Sequence, residues 1–76
     1  MPVAAEDLLK HAAFVRALAR SLLLDPHAAD DVVQETWLRA LEAPPRHAGN
    51  LRGWLSRVVS RQVFKRARSD WRIPAL

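Results

Sequence analysis

Asp25-Pro26-His27-Ala28-Ala29-Asp30-Asp31-Val32-Val33-Gln34-Glu35-Thr36-Trp37-Leu38-Arg39-Ala40-Leu41-Glu42-Ala43-Pro44-Pro45 reads as one helix with its punctuation attached. Asp25 suits an N-cap, because a short carboxylate can accept from the unpaired N–H groups of a first helical turn. Pro26 suits the first helical position, where a missing N–H costs nothing. Asp30 and Asp31 place negative charge in the early turns, where the helix dipole favours it. Pro44-Pro45 ends the element, since a residue before proline avoids the α region. Within it, Val33, Trp37, Ala40 and Leu41 form one stripe, read as core. Asp31, Gln34, Glu35 and Leu38 step by three, one and three residues along another face.

The stretches on either side have the same character. Upstream, Leu8, Ala12, Val15, Leu18 or Ala19, and Leu22 recur at three- and four-residue steps, the period of a helix buried on one side. The pattern predicts a first helix over about 6–24, a second over about 26–43 and a third over about 51–69. Asn50 is the expected N-cap of the third. Leu51, Leu55, Val58 or Val59, and Val63 are its expected buried stripe. Trp37 and Trp54 fall at apolar positions and are assigned to the core. Trp71 is expected to pack back on the bundle. No segment alternates with period two. The fold class is therefore all-α: a compact antiparallel bundle of three helices, or four with a short extra turn near a terminus.

The 76 residues suffice for one domain, covering 1–76. A chain of this size buries about 60% of its unfolded surface and is marginal alone, so a partner or a longer parent chain is expected. No cysteine is present, which excludes disulfides and thiolate metal sites. No apolar run approaches the roughly 20 residues of a membrane span. Acidic residues Glu6 and Asp7 stand where a secretory signal would carry base. The expected location is cytoplasmic, without a membrane partner. His11, His27 and His47 are scattered, and neither a phosphate-cradling glycine loop nor a nucleophile context occurs. No catalytic residue, metal site or cofactor is assigned, and the chain is not expected to be an enzyme.

Charge is divided unevenly. Through Leu38 there are three basic and six acidic side chains; beyond it there are nine basic and two acidic. The second half contains Arg57, Arg61, Lys65 and Arg68, which step by four, four and three residues along one helical stripe. Such a stripe can track a phosphate backbone, and each neutralised phosphate releases counterions. The preceding loop, Pro44 to Asn50, offers Arg46, His47 and Asn50 as hydrogen-bonding groups for base edges. The alternative is a solvated basic face serving solubility.

Two motifs resemble a known family. Asp30-Asp31-Val32-Val33-Gln34-Glu35-Thr36-Trp37-Leu38-Arg39-Ala40-Leu41 is similar to the polymerase-binding helix of bacterial sigma factors, especially the extracytoplasmic-function group. Leu51-Arg52-Gly53-Trp54-Leu55-Ser56-Arg57-Val58-Val59 resembles that group's promoter-recognition helix. The resemblance covers roughly 9–70 and implies a region-two domain. By it, Asp31, Gln34, Glu35 and Leu38 would face the clamp helices of the polymerase β′ subunit. Arg46, His47 and Asn50 would be candidates for reading a base flipped from the melted minus-ten element. Arg57, Arg61, Lys65 and Arg68 would hold phosphates of that single strand.

The chain departs from the family pattern at two places. Arg61 stands where the family usually carries Asn, so it is read as a phosphate ligand instead. Pro44-Pro45-Arg46-His47 replaces a Phe-Arg-Gly type of loop. The family's second domain, which reads the minus-thirty-five element, is expected to be absent. Two rival readings carry their own discriminators. A generic helix-turn-helix binder would prefer duplex DNA. A protein-interaction module, held by an anti-sigma-like regulator, would ignore DNA.

Overall fold

Residues 3–47 and 49–70 are described by a computed structural model, with Ser69 and Asp70 described in their backbone only. Trp71, expected to pack on the bundle, lies outside the described residues. Among the described residues four helices follow one another: α1 (Ala5–Leu9), α2 (Ala12–Leu22), α3 (Pro26–Glu42) and α4 (Leu51–Asp70). The fold is all-helical, with the short additional helix at the N-terminal end.

The segment expected as one helix over 6–24 is divided at Lys10-His11. There the His11 N–H reaches only three residues back, donating to the Leu8 carbonyl at 3.0 Å. The Val15 N–H then donates to the His11 carbonyl at 3.0 Å and starts α2. The break changes the buried set. Leu8, Val15 and Ala19 are buried, whereas Ala12 and Leu22, expected inside, are exposed.

α3 begins as its sequence dictates. The Asp25 carboxylate accepts from the His27 N–H at 3.0 Å, and Pro26 occupies the first turn. The helix closes at Ala43, just before Pro44-Pro45. Its buried stripe is Ala28, Ala29, Val32, Thr36 and Ala40. That is rotated from the expected one: Val33 and Trp37 only flank the core, and Leu41 is 52% exposed. Small side chains face inward because they let neighbouring helices approach closely; the larger ones fill the rim.

α2, α3 and α4 pack pairwise against one another. The core between them, to which α1 adds Leu8, is Val15, Ala19, Ala29, Val32, Ala40, Leu55 and Val59. Val59 rather than Val58 takes the central position on α4. Trp37 and Trp54 are partly buried against this core, not within it. The Arg52 guanidinium lies 5.2 Å from the Phe14 ring centre, an additional link between α4 and α2. Among the described residues, no helix is long and apolar enough to cross a membrane.

Candidate functional site

The outward face of α3 carries Asp31, Gln34 and Leu38 in solvent, with Glu35 half-buried beside them. Leu38 is 55% exposed, and Leu41, one turn on, extends the apolar part of the patch. Two arginines of this chain pair with acidic side chains of α3. Arg39 Nε donates to Glu35 Oε1 at 3.2 Å, and Arg39 Nη1 lies 3.9 Å from Glu42 Oε2. Arg66, from the far end of α4, donates to Asp31 Oδ2 at 3.2 Å. Two carboxylates of the face are thus already engaged. Exposed pairs of this kind are worth about 0–1 kcal/mol, so a partner's cations can replace them.

The second surface is built by the loop after α3 and the start of α4. Asn50 has a φ of 53°, a left-handed conformation that asparagine tolerates better than most residues. Its side-chain oxygen accepts from the Gly53 N–H at 3.1 Å, and its carbonyl accepts from the Trp54 N–H at 3.1 Å. The expected N-cap is therefore present. The cap engages Asn50 Oδ1 and leaves the amide Nδ2 to donate elsewhere. At the other end of the loop, the Val3 N–H donates to the Pro45 carbonyl at 3.0 Å. The N-terminal segment thereby holds the loop against the bundle.

Between these anchors lies a hollow of about 280 Å³, lined by Pro45, Arg46, His47, Gly49, Asn50, Trp54 and Arg57. Four residues nominated from the sequence, Arg46, His47, Asn50 and Arg57, come together here. A second hollow, about 300 Å³, lies between the end of α3 and the middle of α4. Arg61 and Lys65 line it together with Arg39, Glu42, Trp54, Val58 and Gln62. Arg68 is exposed farther along α4 and lines neither hollow. None of the ion pairs among the described residues involves Arg57, Arg61, Lys65 or Arg68. Their charge is available to a polyanion.

Trp54 walls both hollows, a role that its assignment to the core missed. Size was the available signal, because tryptophan is seldom buried completely and its N–H seeks a wet edge. Arg39 was missed as well. It is part of the resembling motif, yet it faces the second hollow while pairing with the docking-face Glu35. Arg66 was missed because its partner lies 35 residues away. Among the described residues, no group of three or more His, Cys, Asp or Glu side chains could hold a metal ion.

The two surfaces differ in chemistry. One is a mixed acidic and apolar helix face, suited to a helical protein with cations. The other joins cations, amide donors and an indole around hollows near the lower size limit of small-molecule sites, about 300 Å³. Among known protein families, the model of Sigma-70 region 2 matches residues 3–73. No curated protein and no solved structure matches the chain.

Proposed function

The chain belongs to the Sigma-70 region 2 family, and from that premise we propose that it bridges polymerase and an unpaired promoter strand through its two surfaces. Region-two domains are non-enzymatic modules of transcription initiation that bind core RNA polymerase and recognise the promoter minus-ten element. The finer reading assigns Asp31, Gln34, Glu35 and Leu38 to the β′ clamp helices. It assigns Arg46, His47 and Asn50 to a base of the melted non-template strand. Arg57, Arg61, Lys65 and Arg68 hold that strand's phosphates. The location that this activity requires is the bacterial cytoplasm.

The observation that carries the reading is the hollow joining Arg46, His47, Asn50, Trp54 and Arg57. Taking a base out of a stack costs a few kcal/mol. A hollow offsets that cost by covering the base and satisfying its polar edge. Arg46, His47 and the Asn50 Nδ2 supply donors, and Trp54 supplies a flat apolar wall. The cations of α4 add affinity without sequence preference, because phosphates are alike along the strand. Binding of polymerase and binding of DNA use different helices, so both can occur at once.

Two measurements test the proposal. The first compares affinity for a labelled single strand carrying a minus-ten element with affinity for the corresponding duplex. Preference for the single strand is expected, and preference for duplex would point to a helix-turn-helix binder instead. The second is capture by immobilised clamp helices. An Asp31→Ala, Gln34→Ala, Glu35→Ala triple variant should lose capture, and undiminished capture would refute the docking face.

A further inference from the structure

Phe64 is the one strongly exposed aromatic side chain among the described residues, at 65%. Its neighbours on α4 leave no packing reason for it. Gln62, two residues earlier and polar, is buried at 7% exposure, and Val63 packs against the core. The helix therefore turns an amide inward and a phenyl ring outward. Phe64 also stands three residues after Arg61, seven after Arg57 and four before Arg68. At roughly 100° per residue, all four fall within an arc of about 60°. Lys65 lies on the shoulder of that arc. The three arginines are exposed, and none of them belongs to an ion pair among the described residues.

An aromatic ring set among in-line cations is what binding of a single-stranded nucleic acid requires. The cations follow the backbone, and the ring offers a face to a base in whichever sequence passes. Arginine beside the ring can also stack on a base or fork onto phosphate. A duplex keeps its bases stacked on one another and offers no such face. An acidic protein could use the cations but would gain little from a single ring surrounded by them. We propose that Phe64 is a stacking platform for an unpaired base, outside both hollows, on a strand whose phosphates lie along Arg57, Arg61 and Arg68. The proposal rests on the single-strand reading above and extends the contact surface toward the C-terminal half of α4.

The test uses the whole 76-residue chain and two short labelled single strands of equal length. One carries all its bases, and the other is abasic opposite α4. Phe64→Ala and Phe64→Leu should each weaken binding of the complete strand about five-fold or more, the effect of losing one stacked base. Phe64→Trp should preserve it. On the abasic strand all four proteins should bind within about two-fold of one another. The dependence of affinity on salt should be unchanged throughout, because no phosphate contact is removed. Thermal melting checks that the variants remain folded, as an exposed position allows.

The inference is overturned if Phe64→Leu binds the complete strand as the wild type does, or if Phe64→Ala loses as much on the abasic strand. It is also overturned if Phe64→Ala impairs only clamp-helix capture, which would make the ring a protein contact. A wild-type chain that binds neither strand overturns the single-strand reading itself. A wild type that binds, with Phe64→Ala equal to it, overturns the stacking role alone.

Discussion

Asn50 and Gly53 are fitted to each other. The Asn50 side-chain oxygen accepts from the Gly53 N–H, and a Cβ added to Gly53 would lie 2.7 Å from Asn50 Cγ. The three atoms nearest that Cβ all belong to the Asn50 side chain. Glycine at 53 is therefore what allows asparagine at 50 to fold back over the first turn of α4. Asn50, held in this way, lines one edge of the hollow beside Trp54.

A double-variant cycle follows from this fit. Gly53→Ala alone should cost about 1 kcal/mol net, because the methyl displaces the capping side chain, and that loss outweighs the helix preference of alanine. Asn50→Gly alone should cost only a few tenths, since glycine accepts a φ of 53° and is a fair N-cap. In the double variant the clash is absent, and alanine favours the helix by about 1 kcal/mol over glycine. Its stability should recover to near wild type, as denaturant melts would show. Additive losses would mean that the two side chains are not coupled. Asn50→Gly should meanwhile weaken single-strand binding, because the hollow loses its amide.

Thr36 provides a gain. Its side chain is fully buried in α3, and its hydroxyl has no hydrogen-bond partner. Thr36→Val keeps the shape and removes the unsatisfied group, which should stabilise the domain by about 1 kcal/mol. For a domain of this size that is a rise of roughly 4–8 °C in Tm. A lower Tm would show that the hydroxyl is satisfied in solution, for instance by the backbone one turn back.

What could be read from the residues alone was what local chemistry decides. Asp25-Pro26 and Asn50 act within three residues of themselves, so their caps were legible, as were the ends of α3. The division at Lys10-His11 was not, because the apolar period runs on across it and no proline or glycine occurs between Ala4 and Leu24 to break a helix. The rotation of the α3 stripe was hidden for a different reason. Ala40 was read correctly, but hydropathy set Val33, Trp37 and Leu41 beside it, whereas the space between helices favoured Ala29, Val32 and Thr36. The grouping of Arg46, His47, Asn50 and Arg57 was legible as a loop followed by a helix. That Trp54 joins them, and that Arg66 reaches Asp31, depends on how α4 lies against α3.

Leu38 and Leu55 separate docking from folding. Leu55 is fully buried, and Leu55→Ala should cost about 2–5 kcal/mol, enough to unfold much of a small domain. Leu38 is mostly in solvent, and Leu38→Ala should change stability by no more than about 0.5 kcal/mol. Capture by clamp helices should nevertheless fall, since Leu38 is the apolar centre of the proposed docking face. A Leu38→Ala protein that melts normally and is captured normally would remove leucine from that face.

Arg66 occupies Asp31 in the isolated domain, and a docking partner needs the same carboxylate. The pair joins the last turns of α4 to the first turns of α3 at 3.2 Å, with the Asp31 side chain 62% exposed. So exposed a pair adds at most about 1 kcal/mol to stability. Arg66→Gln should therefore leave Tm nearly unchanged while freeing Asp31 for cations of the clamp helices. Capture should tighten roughly two- to five-fold, the equivalent of the lost competition. The gain should vanish when Asp31→Ala is present as well, which separates release of Asp31 from a general change in charge. Arg66→Gln weakening capture would mean instead that Arg66 itself touches the partner. In that case the ion pair would be part of the docking face and not a competitor for it.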